Sequence, residues 1–167
     1  VRRVEPVIDL GPDVDRSLID SFEVLWLILR PRLLPRPCTS IIVVLVYCPP
    51  WFEVRRKMLL SKFLTAGLDQ LVRLHPNACI IILGDFNSLD TSFLTKHHHL
   101  RQPVKSATRG QNILDKIYTN FFSFYGNATI SAPLGRSDHN TIVIKAPSSN
   151  RPPVGNKTVF RRNFTPH

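Results

Sequence analysis

Two apolar runs, Ser40–Tyr47 and Ala78–Leu83, bracket a single amphipathic stretch, Phe52–Leu74. No other feature restricts the fold of this chain as strongly. The first run is mostly β-branched, which favours a strand and suits one buried on both faces. Within the middle stretch Met58, Leu59, Phe63, Leu64, Leu68, Leu71 and Val72 recur at helical spacing, with Arg55, Arg56, Lys57, Lys62 and Asp69 on other faces. Gly67 weakens the helix slightly. Pro49-Pro50 ends the first strand and His75-Pro76-Asn77 stops the helix. Strand, helix and strand in direct succession predict a crossover unit in a layered α/β (α+β) core.

The flanking sequence adds further strands. Phe22–Arg30 is rich in strand formers, and Pro31, Pro35 and Pro37 then interrupt regular structure. Asp90–Leu100 reads as a short helix, Val104 as a short strand residue, and Ile113–Thr119, Gly126–Ala132 and Asn140–Ala146 as strands. Residues 1–20 have no clear period and read as an irregular remnant. Residues 148–167 read as a basic tail or linker. One domain, residues 21–147, remains.

The hydrophobic fraction of 43% against 20% charged residues places the chain with globular rather than disordered proteins. No apolar run approaches the ~20 residues of a membrane span, and residues 1–20 hold no secretory apolar segment. The only Met is Met58, so Val1 reads as the start of a fragment, or of a conceptual translation that lost its true beginning. Cys38, Cys48 and Cys79 share no metal-type spacing and read as reduced, buried thiols of an intracellular protein. A net charge of +10 favours a polyanionic partner, nucleic acid first and acidic membrane second. A basic linker plus scattered surface cations is the alternative.

Two tetrads carry the chemistry. Gly84-Asp85-Phe86-Asn87 follows one apolar run, and Ser137-Asp138-His139-Asn140 precedes another. In extended geometry Asp85 and Asn87 point to one side, where a carboxylate and an amide could orient a water and hold a phosphate oxygen. An Asx turn explains the same residues without function. Asp138 and His139 could equally be a turn and a strand-edge histidine. Asp115 lies inside an apolar strand, where a carboxylate needs a partner, and His139 is a natural one. A solvated strand face is the alternative. Tyr47 and Arg109 could each contact phosphate, or simply pack or face solvent. Neighbouring side chains diverge, so His97-His98-His99 is not expected to converge on one metal.

In order along the chain, Val46-Tyr47-Cys48-Pro49-Pro50, Gly84-Asp85-Phe86-Asn87, Thr108-Arg109-Gly110 through Leu114-Asp115, and Ser137-Asp138-His139-Asn140 resemble the endonuclease/exonuclease/phosphatase superfamily. More narrowly they resemble the apurinic-endonuclease-like domain of non-LTR (LINE-type) retrotransposons. The resemblance covers roughly residues 21–147. It implies the C-terminal part of a four-layer α/β/β/α sandwich and Mg²⁺- or Mn²⁺-dependent cleavage of a DNA phosphodiester. By position it implies Asp85 on the water, Asn87 on phosphate or water, His139 on the scissile phosphate and Asp115 orienting His139. Asp138 would sit in the metal region and Tyr47 near the phosphate. DNA, a following reverse transcriptase region and a nuclear location are implied with it.

The chain departs from the family pattern in its first half. None of Glu5, Glu23 and Glu53 matches the metal-binding Glu, so the resemblance marks a phosphodiesterase lineage more securely than an activity. Much of the N-terminal half would be missing, which predicts an uncovered sheet face with Ile42 and Val44 exposed. A non-catalytic nucleic-acid-binding remnant is the alternative function. A phosphoesterase for small phosphoesters such as phosphoinositides is a further one.

Overall fold

The structure, a computed structural model, describes residues 1–12, 14, 16–32 and 34–145. In chain order its elements are β1 (Arg2–Val4), α1 (Arg16–Asp20), β2 (Glu23–Leu29), β3 (Ser40–Tyr47), α2 (Val54–Leu74), β4 (Ala78–Asp85), α3 (Ser92–Lys96), β5 (Asp115–Thr119), α4 (Phe122–Tyr125), β6 (Thr129–Ser131) and β7 (Thr141–Val143). The fold is α+β. A mixed five-stranded sheet runs in the order β1-β2-β3-β4-β5, and β6 and β7 form a separate two-stranded sheet.

The crossover unit forms as the sequence predicts. Strands β3 and β4 are parallel, β2 is antiparallel to β3, and β5 is antiparallel to β4. Helix α2 makes the crossover and buries Leu60, Leu64, Leu68 and Leu71 against the sheet. Each leucine withdrawn from water contributes roughly 2 kcal/mol. Their sheet-side partners include Trp26, Ile28, Ile42, Val44, Ile80 and Ile82 in one core cluster. Gly67 has a packing reason: a Cβ there would meet the Trp26 ring at 2.7 Å. Met58, expected on the apolar face, is 59% exposed instead, and Leu60 takes the inward position.

Strand β3 is not buried on both faces. Ile42 and Val44 are fully buried under α2, whereas Leu45 on the opposite face is 39% exposed. The uncovered face therefore has the reverse parity to that expected. Its centre is the directly opposed pair Leu25 and Leu45 of β2 and β3.

Residues 1–20 are also not irregular throughout, because Arg2–Val4 pairs with Trp26–Ile28 and Arg16–Asp20 is helical. The expected helix at Asp90–Leu100 shortens to α3, and the last three expected strands shorten to β5, β6 and β7. Val104 lies in no strand but is buried. The predicted basic tail, 148–167, lies outside the described residues.

The reading of three reduced thiols is also corrected. Cys38 and Cys79 form a disulfide with a Cα separation of 5.7 Å, and Cys48 is the free, buried thiol. Thr39 N–H donates to the Asn77 carbonyl, which brings the entries to β3 and β4 together and sets the two cysteines side by side. No helix among the described residues is long and apolar enough to cross a membrane.

Candidate metal centre

Strand β4 runs two residues further than its apolar run, and those two residues build the site. Register places Asp85 opposite Tyr47 on one side and opposite Asp115 on the other. The close approach of β3 and β4 here requires glycine at position 84. Gly84 has φ +148°, and a Cβ there would collide with the Val46 carbonyl. After Asp85 the chain turns sharply. Asn87 N–H donates to Asp85 Oδ1 at 3.0 Å, and Asn87 takes a left-handed conformation (φ 42°). This Asx turn replaces the extended geometry assumed from sequence. The Asn87 amide donates to the Cys48 carbonyl at 3.0 Å, tying the turn to the end of β3.

His139 reaches the same sheet end from the turn before β7. Its Nδ1 lies 2.7 Å from Asp115 Oδ2, and both side chains are 22% exposed. A ring that donates its Nδ1–H to this carboxylate leaves Nε2 free for a ligand or substrate. Ligand atoms of Asp85, Asp115 and His139 all lie within 4.8 Å of one another, so the three could hold a metal ion.

Thr108, which sequence reading treated only as part of a turn, connects the two halves of this site. The residue is fully buried. Its Oγ1 accepts from the backbone N–H groups of Leu114 and Asp115, each at 3.0 Å. Its carbonyl accepts from Asn140 N–H at 2.7 Å. One residue thus positions the strand entry beside Asp115 and the chain just after His139. The only sequence signal was a threonine next to Arg109-Gly110, and that pattern does not reveal a buried hydroxyl.

Asp138 is not among the converging donors. Its carboxylate is 67% exposed and pairs with Arg109 at 2.6 Å, while its other oxygen stays 3.9 Å from His139 Nε2. Adjacent side chains diverge at a strand end, so sequence neighbours need not share a pocket. Tyr47 is half-buried beside Asp85. Lys57, which sequence reading passed over as a surface cation, donates to Ser88 Oγ at 2.6 Å and braces the loop after Asn87. Cys48 lies below this loop. Burial raises its thiol pKa more than Lys57 lowers it, and Asp85 raises it further, so the thiol is a weak nucleophile.

No protein-family model, curated protein or solved structure matches the chain.

Glu5, Glu23 and Glu53 are exposed, and none joins the donor cluster. His98, in the triple-histidine run, is buried beside Asp69 on α2, with Nδ1 at 3.9 Å from that carboxylate. Among the described residues the histidine run forms no metal-type group.

Proposed function

We propose that the chain is the C-terminal part of a divalent-metal-dependent phosphodiesterase, a DNA-endonuclease-like domain of retrotransposon origin. The observation that carries this reading is the Asp115–His139 pair set beside Asp85 at one end of the sheet. Asp115 holds the imidazole in one orientation. Asp85 accepts a proton from the attacking water as the water oxygen bonds to phosphorus and the P–O bond to the leaving sugar oxygen breaks. Protonated His139 holds a phosphate oxygen through Nε2, and the leaving oxygen takes its proton from solvent. With both imidazole nitrogens so engaged, the carboxylates of Asp85 and Asp115 would be the metal donors, an oxygen set that suits Mg²⁺ or Mn²⁺. A divalent ion there supplies charge neutralisation at the phosphate. The four-layer sandwich belongs to the same reading, and the apolar face at Leu25 and Leu45 supports it as the surface a second sheet would cover. A DNA partner, a linked reverse transcriptase region and a nuclear location follow from it.

A second reading, a non-catalytic nucleic-acid-binding remnant, is favoured by one observation. Asp138 is engaged by Arg109 and no glutamate joins the cluster, so among the described residues at most three protein ligands converge. Supercoiled plasmid incubated with the chain and Mn²⁺ or Mg²⁺ separates the two. The nuclease reading expects nicking that His139→Ala and Asp85→Asn abolish. Plasmid binding without nicking under either metal overturns it and leaves the remnant.

A further inference from the structure

A second site lies away from the carboxylate cluster. A cavity of about 730 Å³ opens where β1 and the end of β2 meet the last turn of α2. That volume is within the usual range for small-ligand pockets. Register places it clear of the metal centre. Arg2 pairs with Ile28, Ile28 with Ile42, and Ile42 with Ile80. Ile80 is five residues before Asp85 on β4, or roughly 17 Å along the strand, and three strands inward from Arg2. Ile28, Ile42 and Ile80 belong to the core under α2, on the face of the sheet opposite Leu45.

The lining combines cations with apolar walls. Arg2, Arg3 and Arg30 contribute cations, and Leu74, 63% exposed, contributes the open apolar surface beside the buried Ile28 and Leu71. Glu5 neutralises Arg3 at 3.1 Å. Among the described residues neither Arg2 nor Arg30 has a carboxylate partner. The carbonyl end of α2 offsets about half a charge, which leaves the cavity positive. Gln70 also lines it, with a buried Oε1 that has no hydrogen-bond donor. A buried carbonyl of that kind calls for a donor.

From these groups we infer that the cavity binds a nucleotide unit. Arg2 and Arg30 hold its phosphate, Leu74 faces its base, and Gln70 Oε1 accepts from a ribose hydroxyl or an exocyclic amine. Phosphate suits the paired guanidinium forks. An inorganic anion would leave the apolar walls and the Gln70 carbonyl unused. The unit comes either as a free mononucleotide or as one residue of a nucleic-acid strand.

The full chain is titrated, in chelator and without divalent metal, with adenosine 5′-monophosphate and separately with a short single-stranded oligonucleotide. The metal-free buffer separates this test from the fate of the phosphodiesterase reading. Arg2→Gln combined with Arg30→Gln is expected to weaken binding by about tenfold or more. Both arginines are exposed, so the double variant keeps the fold. Arg55→Gln, at the other end of α2, serves as the charge control. Saturable nucleotide binding lost in the double variant identifies the free ligand. Oligonucleotide binding alone, lost in the same way, identifies a strand. Failure of both probes to bind, or equal weakening by Arg55→Gln, overturns the assignment, as does binding that the double variant leaves unchanged.

Discussion

Asp115 Oδ2 lies 2.7 Å from His139 Nδ1, although 24 residues of chain separate them. The pair fixes which imidazole nitrogen faces outward. Asp115→Asn removes the carboxylate but keeps the shape, and its amide can present an N–H to Nδ1, which favours the wrong tautomer. Metal-dependent nicking of plasmid is expected to fall roughly 10²- to 10⁴-fold. Unfolding temperature should barely change, because both groups remain hydrogen-bonded. A variant that nicks at the wild-type rate would remove Asp115 from the proposed chemistry.

Thr108 offers a sharper structural test. Thr108→Val leaves the N–H groups of Leu114 and Asp115 without an acceptor, at a cost of about 1–3 kcal/mol for each group left unmet. Thr108→Ser keeps the hydroxyl and should recover most of the loss. Chemical denaturation of the two variants measures the difference. A larger loss in Thr108→Ser than in Thr108→Val would show that the methyl group, not the hydroxyl, matters.

Gly84 tests the strand approach that sets Asp85 in place. Gly84→Ala puts a methyl group into the Val46 carbonyl and strains a left-handed backbone. The expected loss is at least about 2–3 kcal/mol, read from thermal unfolding. Gly110→Ala is the comparison. It also has positive φ, but nothing lies within 4 Å of an added Cβ, so it should cost less.

Legibility from sequence varied with the range of the interaction that decided each feature. Strand β3 runs Ser40–Tyr47 as its β-branched pattern predicts, because that preference is local. The inward face of α2 was only partly legible. Apolar residues cover a broad arc, and the position of the sheet decides that Leu60 turns in and Met58 out. Strand β1 was invisible because Arg2–Val4 joins the edge through backbone hydrogen bonds that need no side-chain pattern. In the site, Asp115 and His139 could be paired from chemistry, since a carboxylate in an apolar strand requires a partner. Asp138 was assigned to the metal region from the resemblance alone, and its pairing with Arg109 depends on a loop contact that the sequence does not show. Thr108 was missed because its role exists only once two distant loops meet.

His98 gives the fold a dependence on pH. Burial lowers its pKa below the usual 6.5, overriding the opposing pull of Asp69. The unfolded chain therefore takes up a proton more readily than the native one. Stability from this residue is complete above about pH 6.5 and is lost as pH falls toward the lower native value. His98→Gln should flatten that part of the stability–pH curve in denaturant titrations. An unchanged slope would place the acid sensitivity elsewhere.

The face opposite α2 predicts how the chain behaves in solution. Leu25 and Leu45 oppose each other across β2 and β3 at 36% and 39% exposure. The two are exposed neighbours on one sheet face, so concentration should drive sheet-to-sheet association despite the net charge of +10. Threonine is β-branched, which a strand favours, and replaces an isobutyl group with a smaller, polar one. Leu25→Thr with Leu45→Thr should therefore preserve β2 and β3 and shift sedimentation toward monomer. Leu74→Thr is the control, because Leu74 is 63% exposed but lies at the end of α2, away from that face. Association that responds equally to both changes would show that general surface hydrophobicity, rather than this sheet face, drives it.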